Sequence, residues 1–538
     1  MPGGLMNLVS YGQQNVILNG NPSKTFFKTT YSQYTNFGFQ KFRVDFEGSR
    51  TLRLSEESTF TFKIPRYADL LMDTYISFEL PHIWSPVYNV NSSSTNVVPY
   101  EFRWIDNLGA KMINKILITC GSQTLQEFSG DYLLAMIQRD YSTDKKDLFD
   151  KMTGNTSDIN NPPNLNYNSG NYPNAIYTDD VAGAEPSIRG KVLYIPLNTW
   201  FTMSSQMAFP LTSLQYNELH ISITFKPIAE LFRIKDVKDI SNNYPFISPN
   251  FNSNYMQFYR FLQTPPSNII DENTVYPDTR TLWNTDVHLN CTYCFLSTEE
   301  ARIFALQEQK YLFRQINEKH FYNVTGTQKV DLKSLGMVSS YMFYFQRSDV
   351  NLRNEWSNYT NWEFNYIPTG ISETNLNDLS KFELFPFNTL FKTGVYHPEN
   401  QKDIMQSMGI LLDGSYRENN QPVGVFNFIE KFVRTKGNAP DGLYCYNFCM
   451  NTNPFVTQPS GAINMNRFNQ VELEFTTNTP PLDSQAQTTT ICDENGVIIG
   501  INKPTWRIFK YNYDLHVFEE RINVITFVGG NCGLMYAT

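Results

Sequence analysis

The sequence predicts an all-β protein of two tandem β-domains with long surface loops and few, short helices. Phe and Tyr favour strands, and the 538-residue chain holds 41 Phe and 32 Tyr, with aromatic residues making up 15% of it. Several segments alternate apolar and polar residues, and one set of segments recurs in the second half of the chain. The length also exceeds the size at which one hydrophobic core usually stops growing.

The strand predictions depend on four segments with apolar residues at alternate positions. They are STFTFKIP around Phe60, ELHISITF around Ile221, QVELEF around Leu473 and FKYNYDLHVF around Tyr513. Successive side chains of a strand point to opposite faces. The alternation therefore indicates antiparallel strands with one buried face.

Two helices are predicted, Gly130–Asp140 and residues 297–309. The second begins with Ser297 and has Glu300 three residues later, which is the spacing of a capping box. Four polar segments rich in Asn, Pro, Gly and Ser are predicted to be long surface loops, because these residues form turns. They are 140–183, 235–281, 355–388 and 418–441.

The repeat predicts two domains of one design. Residues 216–225 resemble 468–477, since each has an aromatic residue, an Asn and an alternating strand. Residues 288–304 and 509–525 each read as a strand that runs into a Glu-Glu pair, Glu299-Glu300 and Glu519-Glu520. We interpret these acidic pairs as features of the domain edge at the ends of strands.

Charge, cysteine count and hydropathy exclude several classes of protein. The net charge of −9 argues against a surface wrapped by nucleic acid, so we expect no direct sequence-specific binding to nucleic acid. Seven cysteines are few and odd in number, which argues against a disulfide framework and favours a reducing compartment. The N-terminus lacks the features of a secretory signal, and the apolar runs are too short to cross a bilayer.

Motifs for catalysis are missing from the sequence, so it predicts no catalytic residue, no cofactor-binding residue and no enzyme. It has no phosphate-binding glycine loop, no HExxH and no GxSxG. The six histidines are far apart along the chain and read as ordinary residues. Glu-Glu pairs could serve a glycosidase only if they faced each other across a cleft, and DENG at Asp493–Gly496 reads as a turn.

No metal site is predicted either. Cys291 and Cys294 have the spacing of half a zinc ribbon, but they lie in a strand pattern, where residues three apart point to opposite faces. Cys445 and Cys449 have the wrong spacing. We therefore expect buried free thiols at these positions.

The N-terminal region resembles the opening of the major capsid proteins of nucleocytoplasmic large DNA viruses. The matching residues follow in the order of that family: Gly3-Gly4-Leu5, Tyr11-Gly12 with Gln14, Gly20-Asn21-Pro22, Thr25-Phe26-Phe27-Lys28, Tyr31 and Thr35-Asn36-Phe37. Further segments match to near the C-terminus, at residues 65–81, 104–133, 209–219 and 458–473. The sequence departs from the family at Asn15 and at Ser32-Gln33, where acidic and basic residues are usual.

The resemblance implies a double jelly roll, in which each jelly roll is a sandwich of two antiparallel sheets. It implies an N-terminal arm at 1–25, a first jelly roll with long insertions at 26–297, a linker helix at 298–310 and a second jelly roll at 311–538. The protein would form a homotrimer of pseudo-hexagonal outline, which tiles an icosahedral shell. The rival interpretation is a β-sandwich protein that binds or cleaves glycans.

The resemblance also implies partners and a location. The partners would be neighbouring capsomers, minor capsid and penton proteins and, indirectly, an internal viral membrane. The protein would belong to the virion and assemble in the host cytoplasm. Phe26 and Phe27 would act as fasteners, since adjacent side chains of an extended segment point to opposite faces, one into the first jelly roll and one towards a neighbour.

Overall fold

The protein is described by a computed structural model of residues 2–48, 51–90, 97–165, 167–181, 183–242, 244–281, 283–365, 400–486, 489–502 and 508–536. The later part of the loop predicted at 355–388 lies outside these residues. Most of the regular secondary structure of the described chain is antiparallel sheet, and its helices are short.

The first half contains two facing antiparallel sheets. In spatial order, the strands of one sheet are Phe37–Val44, His288–Leu296, Leu70–Glu79 and Phe209–Pro210, and Val192–Pro196 also pairs with Leu70–Glu79. The strands of the other sheet are Ser58–Lys63, Leu219–Phe225, Ile113–Cys120 and Gln123–Phe128. Shorter strands at Val87–Asn89, Val97–Pro99, Phe102–Trp104, Phe232–Lys235 and Phe246–Ile247 form two small sheets beside them.

The second half repeats this strand order. One sheet runs Gln309–Phe321, Tyr513–Val528, Met337–Arg347 and Leu443–Asn447, with Ile463–Asn464 and Asn531–Leu534 attached. The other runs Thr327–Asp331, Val471–Thr477, Met405–Leu412 and Ser415–Pro422. In the first half, the first strand along the chain, Phe37–Val44, pairs with the late strand His288–Leu296, which pairs in turn with Leu70–Glu79. In the second half, Gln309–Phe321, Tyr513–Val528 and Met337–Arg347 pair in the same way. The repeated segments, Leu219–Phe225 and Val471–Thr477, hold equivalent places.

The alternating side chains build the cores. Leu219–Phe225 and Val471–Thr477 both alternate between buried and half-buried positions along their whole length. The main core combines the first sandwich with residues of the second half, among them Phe313 and Phe518. A separate core of the second sandwich forms around Phe343, Phe345 and Phe475.

The described helices are Gly3–Val9, Val16–Asn19, Leu108–Lys111, Gly130–Asp140, Thr143–Thr153, Ser157–Asn160, Trp200–Met203, Thr298–Leu306 and Glu430–Arg434. Helix Gly130–Asp140 is capped by Ser129, whose hydroxyl accepts a hydrogen bond from the Tyr132 amide at 3.2 Å. A Cβ on Gly130 would lie 1.9 Å from the Ala110 carbonyl oxygen. Glycine is therefore required at position 130, where this helix packs closely against helix Leu108–Lys111, just before strand Ile113–Cys120.

Two of the predicted loops contain helices. The segment 140–183 forms helix Thr143–Thr153, because the buried Phe149 anchors an otherwise polar helix that ends at Gly154 with φ of +79°. The segment 418–441 contains part of strand Ser415–Pro422 and a helical stretch at 425–434. In both cases, packing of aromatic residues outweighs the local preference of polar residues for turns.

Three finer predictions were wrong. Ser297 precedes helix Thr298–Leu306 but makes no capping hydrogen bond, and the first turn instead carries Glu299 and Glu300, which favour a helix N-terminus. Gln309 already belongs to the next strand. The strand predicted from residue 509 begins at Tyr513 and runs to Val528, so that Glu519 and Glu520 lie in its buried middle and not at its end.

Candidate assembly surfaces

The N-terminal arm, residues 2–36, lies outside the sandwiches. Its residues are exposed, except for the half-buried Asn15. Large apolar side chains are therefore fully accessible on it, notably Leu8, Ile17, Leu18, Phe26, Phe27 and Tyr31. Apolar side chains in such numbers need a covering surface.

Local chemistry gives the arm its shape. The Gly20 amide donates to the Val16 carbonyl at 3.1 Å, and a Cβ on Gly20 would lie 2.6 Å from that oxygen. Asn21 then adopts a positive φ of +47° before Pro22, so that the GNP sequence forms the bend after helix Val16–Asn19. One of Phe26 and Phe27 was expected to enter the first sandwich. Both are instead exposed, Phe26 by 89% and Phe27 by 99%, because the arm pairs with no described strand before Phe37.

Strand Phe37–Val44 continues the exposed surface. It stands at the end of its sheet and pairs with His288–Leu296. Phe37 and Phe39 are exposed on it, with ring centroids 5.0 Å apart. An edge strand offers backbone donors and acceptors to a further chain.

A two-stranded hairpin forms a second exposed apolar surface. Thr489–Cys492 pairs with Ile498–Asn502, and both Asn495 and Val497 amides donate to the Asp493 carboxylate in the turn. Val497, Ile498, Ile499 and Ile501 are all exposed. A hairpin of two strands is marginally stable in water by itself, so its apolar residues are suited to contact with another surface.

The helical stretch at 425–434 forms a third surface. Phe426 is fully buried in the core of the second sandwich, and the Lys431 ammonium donates to the Asn427 side chain at 2.8 Å and the Pro440 carbonyl at 2.9 Å. Burial lowers the pKa of Lys431 to about 8. The stretch is thus anchored on one side, while Phe432 is 90% exposed on the other.

A buried ionic network joins the two halves. Arg139, in helix Gly130–Asp140, donates to the Glu520 carboxylate at 2.9 and 3.1 Å and to Asp140 at 2.6 Å. Tyr132 and Ser340 also donate to Glu520, at 2.9 and 2.5 Å. Burial alone would raise the pKa of Glu520, but Arg139 and Arg314 hold it at about 2. The carboxylate therefore serves to link the halves, because its oxygens already accept these hydrogen bonds.

The histidine pair His320 and His516 was missed in the sequence. The register of strands Gln309–Phe321 and Tyr513–Val528 places the two opposite each other, with 2.7 Å between their Nδ1 atoms. Burial, with the neighbouring His320, lowers the pKa of His516 to about 3. The two lie far apart along the chain, so their spacing carried no signal; only the strand register could have revealed them.

The four thiols expected to be buried and free, of Cys291, Cys294, Cys445 and Cys449, are buried and free in the structure. Cys291 lies in the main core, whereas Cys294 packs with Leu70 and Ala208 in a small separate cluster. Burial raises the pKa of Cys291 and of Cys445 to about 12, which disfavours the thiolate that binds zinc. The described ranges hold no group of three or more His, Cys, Asp or Glu side chains arranged for a metal ion.

None of the helices in the described part of the chain has the length and apolar character that a membrane crossing requires.

Sequence comparison identifies both halves of the chain. The model described as major capsid protein N-terminus matches residues 25–262, and the model described as large eukaryotic DNA virus major capsid protein matches residues 300–533. The major capsid protein of Phaeocystis pouchetii virus is 31% identical over 231 residues, which cover 43% of this chain and 42% of the relative. That of Chrysochromulina ericina virus is 27% identical and matched over 59% of this chain and 52% of its own length. The chain thus spans about half the length of these relatives.

Other similar proteins match over all or nearly all of the chain. The major capsid protein of Paramecium bursaria Chlorella virus 1 is 23% identical over 545 residues, covering 100% of both chains. The protein chain in a quasi-atomic model of the PBCV-1 virus capsid has a TM-score of 0.61 and 19% identity, over 96% of this chain and 100% of that one. The Faustovirus major capsid protein has a TM-score of 0.59 and 11% identity, over 93% and 92%.

The likeness to these solved structures confirms the double jelly-roll fold, in agreement with the strand order that recurs in the two halves. The two sequence models cover most of the chain between them, and the Chlorella virus relative aligns from end to end. The chain belongs to the family of large eukaryotic DNA virus major capsid proteins.

Proposed function

We propose that the protein is a structural subunit of a viral shell and that it forms homotrimers of pseudo-hexagonal outline. The observation that carries the proposal is the strand order shared by the two sandwiches. Three copies of a chain with two similar lobes supply six similar lobes around a threefold axis. Such a trimer tiles a surface with approximate sixfold contacts.

The exposed apolar surfaces support obligate contacts between copies. Large apolar side chains are exposed on the arm, on the edge strand Phe37–Val44, and on the hairpin formed by Thr489–Cys492 and Ile498–Asn502. Obligate interfaces are larger and more apolar than transient ones. We assign the arm and the hairpin to contacts within the trimer, and more polar surfaces to contacts between trimers.

The finer division of the chain is part of this proposal. Residues 26–297 and 311–538 serve as the two lobes, and 298–310 as the connection between them. Residues 1–25 serve as the free part of the arm, and residues 26–36 as its link to the first strand of the first lobe, Phe37–Val44. The protein acts by assembly and not by catalysis, in the cytoplasm of the host. Its partners are neighbouring capsomers and minor capsid and penton proteins, and any contact with an internal membrane is indirect.

Light scattering and electron microscopy of the purified full-length chain test the proposal. The expected result is a mass of three chains and flat particles with threefold symmetry and a hexagonal outline. A folded protein that stays monomeric at micromolar concentration would contradict it.

A further inference from the structure

The end of the chain is fixed to the first sandwich. Strand Asn531–Leu534 pairs with the end of strand Tyr513–Val528. At the turn before it, the Gly530 carbonyl accepts hydrogen bonds from the amides of Gln215 and Tyr216, at 2.9 and 3.2 Å. Gly530 has a φ of +81°, and a Cβ there would lie 2.7 Å from the Gln215 Cβ. Glycine thus allows the C-terminal hairpin of the second sandwich to approach the first.

This contact brings together two cysteines that lie far apart in the sequence, Cys120 and Cys532. Cys120 ends a strand of the first sandwich and lies opposite Gln123 across a tight turn. Gly533, next to Cys532, lies against Gln123, since a Cβ on it would be 2.9 Å from the Gln123 Oε1. Cys120 is 1% exposed and Cys532 is 6% exposed, both in the main core, and the two thiols are in hydrogen-bonding contact.

We propose that Cys120 and Cys532 form a reversible disulfide that ties the C-terminal hairpin to the first sandwich. The co-reactant is a disulfide oxidant, for which glutathione disulfide is the simplest example. The inference concerns one chain by itself and does not depend on the proposed assembly.

The environment of each thiol sets the order of the steps. The hydrogen bond from Cys532 lowers the pKa of Cys120, whereas the same bond and burial raise the pKa of Cys532. The Cys120 thiolate therefore attacks a sulfur of glutathione disulfide and releases one glutathione thiolate. Cys532 gives up its proton to that thiolate and then attacks the Cys120 sulfur. The products are one protein disulfide and two molecules of glutathione.

The remaining cysteines provide the contrast. Cys291, Cys294, Cys445 and Cys449 are buried, and burial raises the pKa of each thiol. Cys492 is exposed in the hairpin around Ile499. Since both partner thiols are buried, glutathione disulfide can reach Cys120 only when the structure around it opens locally. We therefore expect the Cys120–Cys532 disulfide to form slowly and then to persist.

The test uses purified full-length protein, incubated either with glutathione disulfide or with dithiothreitol. Free thiols are alkylated after unfolding, and peptides are mapped by mass spectrometry without reduction. The expected result is a linked peptide pair containing Cys120 and Cys532 after oxidation, and two alkylated thiols after reduction. Variant Cys532→Ser loses the linked pair, whereas the matched variant Cys492→Ser keeps it.

Three outcomes would overturn the inference: alkylation of both thiols after oxidation, glutathione retained on Cys120, or a link from either residue to another cysteine. Protease resistance of the wild type gives a second measurement, because a cross-link that closes a long loop constrains the unfolded chain. We expect protease resistance to rise on oxidation and to fall back to its initial level on reduction. Oligomeric mass is recorded on the same samples, so that a failure to trimerise contradicts the proposed function alone.

Discussion

Arg139 and Glu520 form a fully buried ion pair, 2.9 Å long, between a helix of the first half and a strand of the second. Removal of one partner of such a pair leaves an uncompensated charge, which costs about 3–5 kcal/mol. We predict that Glu520→Gln lowers the free energy of unfolding by roughly that amount, because Asp140 is then the one carboxylate among the described residues that pairs with Arg139. Urea denaturation, followed by tryptophan fluorescence, measures the effect.

The control is the exposed pair of Lys402 and Asp441. Lys402→Met is expected to cost about 0–1 kcal/mol. The pKa of Glu520 lies at about 2, below its usual 4.5, so its contribution is present above pH 4.5 and is lost as the pH falls towards 2. The difference in free energy of unfolding between wild type and Glu520→Gln should therefore decrease as the pH is lowered. Equal losses in the two variants would contradict a structural role for the buried pair.

The contribution of Glu318 to stability should depend on pH in the opposite direction to that of Glu520. Its carboxylate accepts a hydrogen bond from the Ser129 amide at 2.7 Å, but burial raises its pKa from 4.5 to about 7. The protonated form is favoured in the folded protein, so its contribution is full below pH 4.5 and is lost as the pH rises through 7.

We predict that Glu318→Gln matches the wild type in stability at pH 4 and is more stable at pH 8, by up to about 3 kcal/mol. Glutamine keeps the acceptor for Ser129 and removes the charge. Denaturation midpoints at both pH values check this. A difference that stays constant between pH 4 and pH 8 would refute the assignment.

Phe27 is 99% exposed on the N-terminal arm. We predict that Phe27→Asp leaves the denaturation midpoint of the monomer unchanged and lowers the fraction of trimer by about tenfold or more, because burial of a Phe contributes about 1.5–3 kcal/mol. Size-exclusion chromatography with light scattering gives both values. The matched control is Val275→Asp, an exposed loop position, and wild-type amounts of trimer from Phe27→Asp would exclude the arm from the interface.

The hairpin around Ile499 should be ordered by assembly. Because a two-stranded hairpin is marginal by itself, we predict fast amide hydrogen exchange across Ile498–Asn502 in monomers and at least tenfold slower exchange in trimers. Variant Ile499→Asp should lose this protection, whereas Ile240→Asp, at another exposed site, should keep it. Equal exchange rates in monomer and trimer would place the hairpin outside the interface.

The alternating strands and the helix Gly130–Asp140 could be predicted because their patterns are local. The repeat of Leu219–Phe225 in Val471–Thr477 also marked equivalent strands correctly. The burial of Glu520 could not be predicted, because its cation comes from a helix in the other half. Helix Thr143–Thr153 was missed for the related reason that tertiary packing of Phe149 decides it.

The main core extends without interruption from the first sandwich into the second half. Ring centroids of Trp200 and Phe313 are 4.9 Å apart, and those of Tyr132 and Phe518 are 5.8 Å apart. Any rotation of one lobe against the other would open this packing and expose apolar surface to water. Bending within the subunit is therefore energetically unfavourable. In the proposed shell, curvature would therefore come from the angles between neighbouring subunit assemblies and not from bending of the subunit.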